Sequence, residues 1–319
     1  MGSHKIVLTA MFCLAALGIV FAAARAGGQL APGSAPTAQL TVSVEARHGT
    51  EVPVVDRRDV VISEGRDRDS VASWIPAQGD HAGLELLILI DDASSLDIAT
   101  HFGELRAFMQ AQPVTTLIGV GYMRFGMVQM LQEFTADHAA AGKVLRVTVG
   151  ITGAGATPYF SLQDLMKHWP TNTVRPRHEI LMVSDGIDSY YSGGPDDPYV
   201  AEAIGALQRV GVVVYTIYEP GAGHYGHSFW RINWGQDGLA RVSDETGGES
   251  YNIGSTLGSA VTFSPYLDAL TRQLQHQYLL TFSPKPQQKP GLQAVRVFTE
   301  LSNVDLVAAD KVYVPASPR

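Results

Sequence analysis

The sequence predicts an α/β protein. Its main body is a doubly wound, mostly parallel sheet with helices on both faces. A small β-sandwich-like unit is added from the N- and C-terminal strands. Three observations lead there. Leu86-Leu87-Ile88-Leu89-Ile90 is an unbroken apolar run that stops on Asp91-Asp92-Ala93-Ser94-Ser95. Such a run, without polar alternation, reads as a strand buried on both faces. Ile180-Leu181-Met182-Val183 repeats the arrangement and ends on Ser184-Asp185-Gly186. Strand and helix patterns then alternate from about Gly83 to Gln275, which argues for a parallel sheet covered on both sides.

Taken in order, the chain opens with Lys5, an apolar run from Ile6 to Ala24, and Ala24-Arg25-Ala26. A positive start, an apolar middle and a small-residue end describe a secretory signal peptide, residues 1–26. The chain should then act outside the cytoplasm, periplasmic or secreted, with no membrane span left after cleavage. The only cysteine, Cys13, lies in that run, so the remainder offers no disulfide and no thiolate. Residues 27–36, rich in Gly, Pro and Ala, read as a flexible leader.

The β segment 37–80 follows. Leu40, Val42 and Val44 alternate with polar residues, Val60 and Ile62 do so more briefly, and Val71 to Ile75 adds a third strand. Alone, this segment is too short to bury a good core. Within the α/β segment, residues 83–275, Ile98, Phe102, Leu105 and Met109 recur at helical spacing up to Pro113. Leu117 to Tyr122 and Met127 to Leu131 read as strands turning near Arg124 and Gly126, and Ala136 to Leu145 as a helix. Gly153-Ala154-Gly155-Ala156-Thr157-Pro158 reads as a loop opening a helix. After the Ile180 strand come a helix near Val200 to Gln208, a buried strand from Val212 to Ile217, a helix from Leu239 to Thr246 stopped by Gly247-Gly248, and a last helix from Tyr266 to Gln275. Tyr278 to Phe282, Val295 to Phe298 and Val304 to Val314 read as late strands. They form the segment 277–314, expected to pair with 37–80 because domain termini often lie close together.

The net charge of −8 lacks the basic stripe that nucleic acid requires, so no nucleic-acid partner is expected. The chain has no Gly-x-Ser-x-Gly elbow and no phosphate-binding Gly-x-x-x-x-Gly-Lys. His178 could be pictured as a base oriented by Asp185, although a histidine at the start of a buried strand is more often structural.

Ligands of open α/β sheets sit past the carboxyl ends of the strands. The stretches ending on Asp91-Asp92-Ala93-Ser94-Ser95, on Thr157 and on Asp185 should therefore converge on one oxygen-lined site. Carboxylates and hydroxyls without cysteine favour a hard cation. In the stretch His224-Tyr225-Gly226-His227, two histidines three apart sit among glycines, which reads as a polar loop rather than a zinc grip. Phe229, Trp230 and Trp234 read as part of the same loop, and Tyr190, Tyr191 and Tyr199 as the rim after Asp185. Tyr190, Tyr191, His224, His227, Trp230 and Trp234 are the candidate partner-binding rim, since Tyr and Trp are enriched at binding hot spots.

The order and spacing of these pieces resemble the von Willebrand factor type A (VWA) domain, a Rossmann-like fold with a metal-ion-dependent adhesion site. The flanks resemble the VWFA-related kind found in secreted bacterial proteins. That family carries Asp-x-Ser-x-Ser after its first strand, a Thr on a later loop and an Asp after a central strand. Asp91, Ser95, Thr157 and Asp185 stand at those positions, while Ala93 replaces the first serine. The resemblance implies a metal set of Asp91, Ser95, Thr157 and Asp185 holding Mg2+, or Ca2+ or Mn2+. It also implies a protein partner docking through an acidic side chain, and an adhesion or interaction role rather than catalysis. The alternative is an extracytoplasmic metal-dependent hydrolase in which the cation activates water.

Overall fold

In the computed structural model, the residues described are 37–150, 156–170, 177–191, 193–223, 227–251 and 260–316. The segments 1–26 and 27–36, the loop 151–155 and His224 lie outside them. The first strands are β1 (Ala38–Ala46), β2 (Val60–Glu64) and β3 (Asp67–Pro76). The chain then enters β4 (Leu84–Asp91), all eight residues of which are buried. A 3-10 turn, Leu96–His101, leads into α1 (Phe102–Ala111). Next come β5 (Thr116–Arg124), β6 (Met127–Thr135), α2 (His138–Lys143), α3 (Pro158–Lys167) and β7 (Arg177–Ser184). They are followed by α4 (Pro198–Val210), β8 (Val212–Tyr218), α5 (Phe229–Thr246), β9 (Ser250–Tyr251) and α6 (Ser264–Gln275). The last strands are β10 (Gln277–Ser283), β11 (Gly291–Ala294), β12 (Arg296–Thr299), β13 (Val304–Ala308) and β14 (Lys311–Val314).

The central sheet runs β6-β5-β4-β7-β8-β9. All its pairings are parallel except β5 with the edge strand β6. Alternate side chains of β4 serve two cores, as the period of a strand dictates. Leu86, Ile88 and Ile90 pack with Phe102, Leu105 and Met109 of α1 and with Leu267 and Leu270 of α6. Leu87 and Leu89 pack with Leu162 of α3, Ile204 and Leu207 of α4 and Leu239 and Val242 of α5. Both faces of β4 are apolar because both are covered. Between β4 and β7 the connections diverge, one toward β5 and the other toward β8, and in sheets of this kind ligands bind at the carboxyl ends of such strands.

A second six-stranded sheet, β12-β2-β3-β10-β1-β13, draws its strands from both ends of the chain. β1 lies between β10 and β13, antiparallel to each. β11 and β14 form a separate two-stranded ladder. Val42, Ile62, Leu280, Phe282 and Val314 share one core there. Arg177, nearly fully buried, joins the two regions. Its guanidinium donates to the carbonyls of Ala82 (2.9 Å) and Leu274 (3.2 Å) and to Oε1 of Gln277 (2.5 Å). One side chain thus holds the chain where it enters and where it leaves the central sheet.

Several elements differ from the sequence reading. α5 begins ten residues before Leu239, because Ser228 caps it by accepting from the Arg231 N–H. Phe229, Trp230 and Trp234 are therefore helical rather than on a loop. α2 is only six residues long, with Asp137 as its N-cap. The stretch from Val304 to Val314 is two strands, parted at Ala309 and Asp310. His178 sits at the start of β7 and Asp185 just past its end, about 20 Å apart at strand rise. His178 instead faces Glu85, with Nε2 3.3 Å from the carboxylate, so it cannot serve Asp185 as a base.

Candidate functional site

β4 and β7 are parallel and in register, Ile90 opposite Val183, so Asp91 and Ser184 finish side by side. Ser184 Oγ donates to Asp91 Oδ2 at 2.8 Å, and the Ala93 N–H donates to Oδ1 at 2.9 Å. Asp185, the next residue, accepts from the Ile187 N–H (2.9 Å) and, on Oδ2, from the Gly221 N–H (3.1 Å). The loop after β8 is laced to the loop after β4. Ser95 N–H donates to Pro220 O (2.9 Å), Ala222 N–H donates to Ala93 O (2.8 Å), and Ser94 bridges Gly221. Three loops from adjacent strand ends therefore form one floor. At Gly221 a Cβ would collide with Asp185 Oδ2, so only glycine lets that loop come this close.

Both carboxylates are hidden, Asp91 at 3 % and Asp185 at 6 % exposure. Burial pushes the Asp91 carboxyl up to about 6, against the hydrogen bonds from Ala93 and Ser184. Burial, and after it the charge of Asp91, pushes Asp185 up to about 7. Two buried acids that repel one another are the chemistry a cation relieves.

The other residues of the expected metal set are placed as follows. Ser95 caps the 3-10 turn, accepting from the Asp97 N–H at 3.3 Å and donating to Asp97 Oδ2 at 3.1 Å. Thr157 is buried at the head of α3, whose next turn sends the Tyr159 hydroxyl to Gly186 O at 2.9 Å, one residue past Asp185. Ala156 O also accepts from the Ser189 N–H at 2.7 Å, so the α3 entry and the Asp185 loop are in contact. Asp92 turns away from the site. Its carboxylate receives the Arg146 guanidinium in a fork (2.8 and 3.1 Å) and the Val149 N–H (3.0 Å), while Arg146 stacks on Tyr122 at 4.1 Å.

All the available donors are oxygens, which suits a hard divalent ion. Ser94 adds an observation of its own. It is 1 % exposed, and among the described residues its Oγ has no hydrogen-bond partner. An orphaned hydroxyl on the loop that follows Asp91, together with two repelling carboxylates, is compatible with a bound cation, less the oxygen that Ala93 lacks. Among the described residues no three His, Cys, Asp or Glu side chains gather as a metal cluster, and the Asp91 and Asp185 pair supplies only two.

The rim divides. Tyr190 is 72 % exposed and meets Phe160 edge-on. Trp230 is 66 % exposed and packs edge-on against Phe229 on the first turn of α5. Tyr191 and Trp234 are half-buried and line a cavity of about 20 Å3 with Asp188 and Arg231. His227 is half-buried just before the α5 cap, and His224 lies outside the described residues. Tyr199 is drawn inward against Phe160.

Sequence reasoning missed Ser184, Gly221 and the Asp92–Arg146 fork. The first had a signal, since Ser184 ends a strand in the same phase as Asp91. Arg146 had none, being 54 residues from its partner.

No family model matches this chain, and no curated protein does either. Among solved structures it is similar to BatB, a conserved hypothetical protein of Bacteroides thetaiotaomicron. That match has 13 % identity over 60 % of this chain and 97 % of that one, with a TM-score of 0.42. It is similar to an aerotolerance-related membrane protein of Bacteroides fragilis, at 13 % identity over 60 % and 98 % of the two chains, TM-score 0.39. It is also similar to the VWA domain of SpRpn10, at 13 % identity over 59 % and 93 %, TM-score 0.34. At these values the likeness assigns no residue and no activity.

Proposed function

We propose that this chain is a VWA-like protein-interaction module, built on a doubly wound sheet and working outside the cytoplasm. Its docking face is the loop floor at the ends of β4 and β7. Asp91, Ser95, Thr157 and Asp185 would hold Mg2+, Ca2+ or Mn2+. When bound, the ion supplies an open coordination position for a carboxylate on the partner. The exposed aromatics Tyr190 and Trp230 add apolar contact beside it, with Tyr191, Trp234 and His227 behind them.

The observation that carries this reading is the pair of buried carboxylates, Asp91 and Asp185, held on adjacent strand ends with raised proton affinity. A binding face is favoured over a hydrolase by where the cavities lie. Those of about 600, 690 and 860 Å3 are lined by neither Asp91 nor Asp185. The cavity touching Gly186 and Asp188 has room for little more than water. The export reading rests on Lys5, the apolar run and Ala24-Arg25-Ala26. Among the described residues no helix is long and apolar enough to cross a membrane.

The test is calorimetric titration of the exported protein with Mg2+, Mn2+ and Ca2+. Saturable binding of one ion per chain, abolished in Asp185→Ala, is expected. Absence of binding by all three ions would leave the aromatic rim as the whole docking surface and end the cation reading.

A further inference from the structure

We propose that Ser94 supplies the cation with the hydroxyl oxygen that Ala93 lacks. This rests on the reading of Asp91 and Asp185 as a cation site, and it names a ligand outside the Asp-x-Ser-x-Ser pattern.

Each neighbouring side-chain oxygen of the loop already has a role. Ala93 has no side-chain donor. Asp92 is committed, because its two oxygens take the Arg146 fork and one of them also takes the Val149 N–H. The Ser95 hydroxyl, already counted in the proposed set, exchanges hydrogen bonds with Asp97 and keeps one lone pair for the ion. Ser94 Oγ is the oxygen of this loop left over. A buried hydroxyl with no partner is unfavourable, and native structures rarely leave one without a reason.

Ser94 is paired with Gly221 across an antiparallel bridge, and a Cβ on Gly221 would lie against Asp185 Oδ2, so the Ser94 side chain is on the face that carries that carboxylate. The Ser94 N–H donates to Asp91 O at 3.0 Å, and its own carbonyl accepts from Thr148 Oγ1 at 2.9 Å. On the other side it bridges Gly221, whose N–H donates to Asp185 Oδ2. The residue is thus pinned on three sides while its hydroxyl stays uncommitted. A hydroxyl oxygen is a competent ligand for Mg2+ or Mn2+ among carboxylates. In this chain the missing serine has been displaced by one position rather than lost.

The experiment titrates the full exported chain with Mn2+, reading both calorimetric affinity and the Mn2+-dependent rise in Tm. It uses Ser94→Ala, Ala93→Ser and the double variant. Ser94→Ala is expected to weaken Mn2+ at least tenfold while melting no lower than wild type without metal. The double variant, with its hydroxyl returned at position 93, is expected to regain most of that loss. Wild-type affinity in Ser94→Ala, with binding still lost in Asp185→Ala, would overturn the Ser94 assignment and leave the cation site standing. Failure of the wild-type chain to bind Mn2+ at all would overturn both. If Ser94→Ala does not fold, Ser94→Cys decides, since a thiol is a poor ligand for a hard ion and undiminished Mn2+ affinity in that variant also overturns the assignment.

Discussion

Ser184 ties the end of β7 to the end of β4 by giving its hydroxyl proton to Asp91 at 2.8 Å. The same oxygen accepts from the Gly186 N–H at 3.0 Å, so one serine sets both the carboxylate and the turn that follows Asp185. Ser184→Ala should cost about 1–3 kcal/mol, because both groups are buried and neither gains water in exchange. Urea unfolding measures this. A change below about 0.3 kcal/mol would mean that a water takes over the bond.

The folded-state values of Asp91 and Asp185, about 6 and 7, lie above the ordinary 3.8 of the unfolded chain. Between pH 4 and pH 7 the folded protein therefore holds more protons than the unfolded one. Their contribution to stability is complete below about pH 4 and fades as the pH rises through 6 to 7. The slope is at most about 1.4 kcal/mol per pH unit for each group. The pair titrates as a unit, so two apparent steps are expected rather than one per residue. Melting curves in EDTA from pH 4.5 to 8.5 should show this fall, and Asp185→Asn should flatten it. Saturating Mn2+ should reverse the trend, since the ion binds the ionised pair.

Gly221→Ala is expected to be more damaging than its size suggests, because its Cβ would sit on Asp185 Oδ2. A loss of about 1–3 kcal/mol should accompany weaker cation binding. Gly49→Ala is the contrast. Gly49 has a positive φ of 83°, but a Cβ added there would meet nothing within 4 Å, so the change should cost about 1 kcal/mol and leave the ion untouched.

Arg146→Met should cost about 3 kcal/mol. That is the low end for breaking a buried pair, because the guanidinium is 36 % exposed while Asp92 is 2 % exposed. Arg146→Lys should recover only part of this, since an ammonium cannot reproduce the two-pronged grip or the stacking on Tyr122. Chemical denaturation of the three proteins at one pH decides it.

Trp230→Ala should leave stability within about 0.5 kcal/mol, as expected of an exposed surface position. It should weaken partner binding about tenfold or more if the aromatic edge is used. Equal capture of the partner by wild type and variant would remove Trp230 from the docking surface.

The fold was legible where burial is two-sided. β4, β7 and β8 announce themselves as unbroken apolar runs, and Asp91 and Asp185 are the polar residues that end two of them. The carboxyl-end rule then puts both at one place. What could not be read was whatever depends on distant partners. The resemblance picks Asp91 over Asp92, but the Arg146 fork that commits Asp92 elsewhere could not be read from the sequence. The start of α5 was hidden because Gly235 and Gly238 dilute the helical pattern. Both are required by close approach, Gly235 to the Asp185 carbonyl and Gly238 to Tyr159. The motif places its serine at position 93, and the orphaned hydroxyl one residue on shows only in three dimensions.

The placement of β1 between β10 and β13 sets an order of assembly. Ala38 is opposite Phe282 and Val42 is opposite Ala308, so the first strand made waits for nearly the last. Meanwhile the central sheet lies entirely between them in sequence and can close on its own local contacts. The terminal sheet carries the long-range pairings, which slow folding because loop closure precedes any reward. Until it closes, β1 and β3 present open edges to other chains. A ribosome-released fragment ending before Gln277 would hold a formed α/β body and an adhesive N-terminal fringe. By gripping Ala82 and Leu274 together in the folded chain, Arg177 keeps the strands that flank them, β3 and β10, close to one another.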